Sequence, residues 1–244
     1  MNDFVELWIY LSSTPLFGLT ATLAVYLLTG TVYARLGQNP LANPVLWSVV
    51  LIALGLFLTG VPYQTYFAGA QFIHFLLGPA VVALGWPLYQ RWPALRAQWR
   101  RIGLAAALGG AVASVSALLL GWLFGLPAEM LRSLAPKSVT APVAMGIAEA
   151  IGGIPALAAV IAILTGLVGA LTGKTLFDLL RIPRDEAGWM QRGMALGVVS
   201  HGIGAARAMQ VNADAGAYAG LALGLQVVLG SLLIPALYRL ADLF

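Results

Sequence analysis

Apolar residues come along this chain in long blocks broken by short polar connectors, not at the spacing of a single buried face. Eight blocks are marked off by their breakers and charges: residues 4–34, 45–60, 64–90, 102–124, 128–151, 154–172, 187–211 and 214–238. Several exceed the roughly 18 apolar residues that mark a membrane-spanning helix. All eight are predicted helical, because lipid offers no partner for free backbone groups. The connectors include Gly37-Gln38-Asn39-Pro40, Val61-Pro62 and a basic loop from Arg91 to Arg101. Abundant Gly and Ala inside the blocks allow close helix packing.

The fifth block differs. Leu134-Ala135-Pro136-Lys137-Ser138-Val139-Thr140-Ala141-Pro142 puts two prolines and a lysine into an apolar stretch. Each proline removes a helix hydrogen bond and crowds the preceding turn. Non-helical backbone at membrane depth survives only inside protein or along a wet cavity.

Charge adds orientation. The chain is 60% hydrophobic and 9% charged, too few charges to hydrate the surface of a soluble domain. Its net charge of +4 reflects basic residues in short loops, the mark of cytoplasmic membrane loops and not of nucleic-acid binding. Arg35, Arg91, Arg96, Arg100, Arg101, Lys174, Arg181, Arg184 and Arg192 are therefore placed in the cytoplasm. Blocks two to four then run out, in and out. A fully crossing fifth block would strand Lys174–Arg192 outside, so the fifth is predicted to enter and leave on one side. Blocks six to eight then run in, out and in.

The fold expected is an all-α polytopic membrane protein of two inverted-topology repeats, residues 1–125 and 126–244, with broken or re-entrant helices. Interruptions pair between the halves: Ser12-Ser13-Thr14-Pro15 with the Lys137 break, and Leu77-Gly78-Pro79-Ala80 with Ser200-His201-Gly202-Ile203-Gly204. Paired interruptions point to a midplane site of a secondary transporter. The first block starts near Met1 without a basic leader or a small-residue cleavage site, and reads as a retained segment. The side on which Met1 lies stays open.

Lys137 has two readings. It either snorkels to the headgroups from a shallow loop or serves a buried site. The adjoining Ser138 and Thr140 hydroxyls, and amides freed by the break, favour a site for a small carboxylate. His201 is ordinarily a satisfied interior residue, but Gly202 and Gly204 expose backbone beside it and its neutral-range titration suits a proton relay. His74, near Gly78-Pro79, is a second relay candidate. The substrate-binding candidates are Pro136, Lys137, Ser138, Val139, Thr140, Ser200, His201, Gly202, Gly204, Gly78, Pro79 and Thr14. Glu129, Arg132, Glu149, Arg207 and Asp214 read as helix-end charges facing water.

Enzyme chemistry finds no support. There are no cysteines, so thiolate chemistry and disulfides are excluded. Gly169–Thr175 ends in Gly-Lys-Thr but has Val168 where a phosphate loop needs its first glycine. Gly202-Ile203-Gly204 lacks the third glycine and preceding strand of a dinucleotide fingerprint. His74 and His201 lie in different halves, so no zinc pair shares a helix. No catalytic residue, metal or cofactor is expected.

Ser133 to Pro142, followed by Gly152-Gly153-Ile154-Pro155, together with Leu77-Gly78-Pro79-Ala80 and Ser200-His201-Gly202-Ile203-Gly204-Ala205-Ala206, resembles the signature of the LrgB/CidB family over nearly the whole chain. One departure is Ala205, where the family commonly has threonine. The resemblance implies two functions. Bacterial members are antiholin-like or holin-like modulators of murein hydrolase activity and autolysis, while the plastid member is a glycolate/glycerate translocator. Transport is preferred here, because inverted halves with broken helices serve alternating access and have no use in a holin. The expectation is a carrier of small 2-hydroxy-monocarboxylates in the inner (cytoplasmic) membrane, moving them with protons or by exchange. Lys137, Ser138 and Thr140 would hold the carboxylate, and Ser200 and His201 the hydroxyl or a proton. Expected partners are a small organic anion, membrane lipid, a second copy in a homodimer with elevator-type motion, and an LrgA/CidA-type membrane protein; nucleic acid is not expected.

Overall fold

The helices begin and end where the chain's capping chemistry allows. In the computed structural model, residues 15–37, 39–76 and 92–241 are described, with 79, 82, 86 and 89 between them. All regular elements among them are helical. Among the described residues, four helices carry stretches long and apolar enough to cross a membrane: Leu16–Arg35, Trp99–Leu123, Pro155–Leu179 and Ala213–Leu240. The chain divides into two compact units, Met1–Ala80 and Val81–Phe244.

In the first unit α1 (Pro15–Arg35) packs on α2 (Pro44–Thr59) and α3 (Tyr63–Phe75). Asn43 caps α2 by accepting from Val45 N and Leu46 N, and Gly60 ends it at φ 67°, a left-handed position that favours glycine. A β-carbon at Gly18 would overlap Tyr66 O, so α1 meets α3 backbone to backbone. Two hydroxyl contacts fix the register: Thr22 Oγ1 with Tyr66 Oη at 2.6 Å, and Thr29 Oγ1 with Ser48 Oγ at 2.9 Å. Thr14 and Gly78, and the His74 side chain, lie outside the described residues. Pro79 is exposed.

The second unit holds the interrupted segments. Its first helix, α4 (Trp92–Leu123), starts earlier than the sequence predicts: residues 92–101 are helical, not a loop. The fifth block is broken as predicted, into α5 (Ala128–Leu134) and α6 (Ala141–Ala150) around a non-helical tip at residues 135–140. Its two ends lie together. Ile154 N donates to Ser133 Oγ at 2.7 Å, and a β-carbon at Gly152 would lie 3.2 Å from an Arg132 guanidinium nitrogen. The segment therefore enters and returns at one end of the unit, as a re-entrant hairpin. From there α7 (Pro155–Leu179) runs to the opposite end, antiparallel to α6 across the buried alanines 144, 148, 158 and 162.

The seventh block requires a correction. It was expected to cross the membrane, but the helix α8 (Glu186–Val211) folds back on itself. His201 has φ 42° and ψ −133°, far from helical values, and the chain reverses there. A β-carbon at Gly204 would lie 2.6 Å from Leu196 O, whereas in a straight helix residues eight apart stand about 12 Å apart along the axis. Trp189 and Leu196 on the first arm pack against the cluster containing Ala208 of the second. The glycines supply the close approach, and the left-handed turn at His201 supplies the reversal. The next helix, α9 (Ala213–Ala241), runs parallel to the first arm, with Gly193 against Ala215 and Gly197 against Ala219. The eighth block consequently leads away from the basic end, opposite to the direction expected.

The two hairpins enter from opposite ends. The end where α4 and α8 start and α7 stops carries Arg96, Arg100, Arg101, Lys174, Arg181, Arg184 and Arg207 with Asp178, Asp185, Glu186 and Asp214. The other end carries Arg132 and Arg239 with Glu129 and Glu149. The excess of Lys and Arg at the first end matches the pattern of cytoplasmic loops.

Candidate functional site

The tip of the first hairpin follows from its prolines. Pro136 has no N–H to continue α5, and Ala141-Pro142 starts α6 afresh, with Thr140 as its N-cap residue. Tight turns close the gap: Lys137 N donates to Leu134 O at 3.1 Å and Val139 N to Pro136 O at 2.9 Å. Ser114 Oγ of α4 donates to Ala135 O at 2.8 Å and ties the tip to the helix beside it. Pro136, Ser138 and Val139 are buried, while Lys137 and Thr140 are half-buried.

The second tip is set into α7. A β-carbon at Gly166 would lie 2.7 and 2.8 Å from Cε1 and Nε2 of His201, and one at Gly169 would overlap Ser200 Oγ. These glycines form a notch that accepts the tip. His201 Nε2 lies 2.7 Å from Ala162 O. A carbonyl only accepts, so Nε2 carries the hydrogen and the neutral ring keeps Nδ1 as an acceptor.

Both tips reach one cavity of about 550 Å³. Lys137 lines it from the first hairpin, Ser200 from the second, and Thr165, Gly169 and Thr172 from α7 between them. Ser200 is buried, and its Oγ has no hydrogen-bond partner among the described residues. A buried hydroxyl left so costs about 1–3 kcal/mol, which points to a role beyond packing. One ammonium and one unpaired hydroxyl, with two threonines alongside, make a polar locus on an apolar wall. Such a site suits a small anion carrying a hydroxyl group.

The remaining candidates spread around this cavity. Ser138 faces a second cavity of about 210 Å³, which Ser114 and Gln226 also line. Its Oγ likewise has no partner among the described residues. Gly204 is buried against the first arm, and Gly202 is half-buried at the turn. Glu129, Glu149 and Asp214 are exposed, whereas Arg132 and Arg207 are half-buried.

Three features escaped the sequence reading. Thr165 and Thr172 look like ordinary helix residues until the register of α7 is known. Gln226, alone among apolar neighbours, donates through Nε2 to Ala106 O at 2.5 Å; its isolation was the available signal. Arg192, counted as a loop cation, is buried at 6% exposure, and its Nη2 donates to Asp178 at 3.0 Å and to Ile182 O.

Sequence comparisons add a lineage to this geometry. A profile described as the LrgB-like family matches residues 22–240. An uncharacterized protein of Haemophilus influenzae is 34% identical over 207 residues, covering 85% of this chain and 88% of its own length. The uncharacterized protein YxaC of Bacillus subtilis is 35% identical over 214 residues, covering 88% and 91%. The holin-like protein CidB of Staphylococcus epidermidis is 30% identical over 203 residues, covering 83% and 87%. No solved structure matches the chain.

Proposed function

The chain belongs to the LrgB-like family, and from that premise we propose that it is a secondary transporter of small 2-hydroxy-monocarboxylates such as glycolate and glycerate. The observation that carries this reading is the meeting of two hairpin tips, entered from opposite ends, at the cavity of Lys137 and Ser200. Lys137 holds the carboxylate through a charge-assisted hydrogen bond. Ser200 Oγ pairs with the substrate hydroxyl, and the adjoining His201 takes or returns a proton through its free Nδ1. Opening the first hairpin exposes the cavity to one side of the membrane, and opening the second exposes it to the other. That is alternating access with a fixed site at the midplane. In this reading the membrane is the inner one.

The test is uptake of labelled glycolate into proteoliposomes of the purified chain. Saturable uptake that Lys137→Ala abolishes supports the proposal. Absence of saturable uptake, or full uptake by Lys137→Ala, sinks it. A second reading has its own support in the holin-like relative of Staphylococcus epidermidis. A holin-like assembly with an LrgA/CidA-type partner predicts leakage of unrelated solutes that grows with protein density and does not saturate.

A further inference from the structure

At the basic end a separate cavity of about 360 Å³ opens between the arms of the second hairpin and α7. Four cations line it: Lys174 from α7, Arg184 from the connector, Arg192 from the first arm and Arg207 from the second. The acid within reach is Asp178, which pairs with both Arg184 and Arg192 at 3.0 Å. Asp185 is engaged as the N-cap of α8, accepting from Gly188 N, while Glu186 and Asp214 are exposed. Four positive charges against one paired carboxylate leave an excess of positive charge.

Arg192 is the built part of the site. Its guanidinium lies between Phe177 and Trp189, with Cζ 5.5 and 5.6 Å from the two ring centroids. Its side chain is only 7% exposed, and its Nε has no hydrogen-bond partner among the described residues. Two aromatic faces, the Asp178 carboxylate and the Ile182 carbonyl hold the guanidinium and leave its Nε–H unused. Arginine in such a setting is suited to phosphate, whose oxygens match its planar donor fork.

We infer that this cavity binds a phosphate group, presented by an anionic phospholipid or by a soluble phosphate compound. Basic pockets between helices at the cytoplasmic face are known sites for lipid phosphates. The apolar residues lining the cavity, among them Leu196, Ala208 and Val211, suit the acyl chains of a lipid. The bound group joins α7 to both arms of the second hairpin through Lys174, Arg192 and Arg207. It therefore favours the closed hairpin. The inference does not depend on what the chain transports.

The test is thermal denaturation of the purified full chain in neutral detergent. Phosphatidylglycerol or phosphatidylcholine is added in one arm, and inorganic phosphate or chloride at matched ionic strength in the other. The site predicts stabilisation by phosphatidylglycerol over phosphatidylcholine, by phosphate over chloride, or by both; the first alone marks a lipid and the second a soluble source. Arg207→Gln and Lys174→Gln leave the buried Arg192–Asp178 pair intact and are expected to raise the half-saturating concentration roughly tenfold. Arg100→Gln, on α4 and outside the cavity, is expected to leave it unchanged. Equal melting with all additives overturns the inference, as does an equal loss of effect in Arg100→Gln and Arg207→Gln.

Discussion

Gly166→Ala tests the notch that seats the second hairpin. An alanine inside a helix is ordinarily worth about 1 kcal/mol over glycine, so by propensity alone the change stabilises. The structure predicts the reverse. The new methyl meets the His201 ring at 2.7 and 2.8 Å and Ile203 Cβ at 3.1 Å. Either the ring moves off Ala162 O, losing a buried hydrogen bond worth about 1–3 kcal/mol, or the tip is overpacked at a similar cost. The two costs are alternatives, since moving the ring relieves the clash. The net effect is a loss of about 0–2 kcal/mol. Gly103→Ala on α4 is the control, because a β-carbon there meets nothing within 4 Å, and it should gain up to about 1 kcal/mol. The two variants should therefore differ by about 1–3 kcal/mol, read as a difference of several degrees in melting temperature in one detergent. Substrate uptake should fall in Gly166→Ala and persist in Gly103→Ala. Stability of Gly166→Ala equal to or greater than that of Gly103→Ala would refute the notch.

Side-specific labelling tests the correction to the seventh block: single cysteines at Arg181 and Asp214 should react from one face of a vesicle, and one at Glu149 from the other. If the cysteines at 181 and 214 label from opposite faces, α8 crosses the membrane. Asp178→Asn leaves the buried Arg192 without its counterion and should destabilise the chain more than Arg184→Gln, which removes an exposed partner of the same carboxylate; thermal melting ranks the two. Gln226→Ala removes a buried donor and opens space beside Gly110, and should cost about 1–3 kcal/mol in the same assay.

How much of this was legible depends on whether the relevant chemistry is local. Pro136, Lys137 and Pro142 stand within seven positions of one another, and the break they cause needs no distant partner. The charge count then required the fifth block to return, which is how the first hairpin lies. The second break was also marked, by Gly202 and Gly204, but its outcome was not. Glycine permits a kink, a bulge or a full reversal, and the choice rests on the notch at Gly166 and Gly169 on another helix. The direction of the eighth block failed with it. Arg192 was misread for a related reason: it is buried by Phe177, Asp178 and Trp189, and the first two belong to the preceding helix. Its position in a basic run looked like exposure.

The central claim is that the two hairpin tips meet around one substrate cavity. A chain without native cysteine allows this to be measured directly, with Lys137→Cys and Ser200→Cys combined and treated with a short bifunctional thiol reagent in proteoliposomes. The account predicts an intramolecular cross-link within one chain, formed in neither single variant. In the companion single variant Ser200→Cys, which keeps Lys137, glycolate should slow alkylation of the new thiol. No cross-link between positions 137 and 200 would contradict the meeting of the tips, and alkylation indifferent to glycolate would contradict the cavity's role.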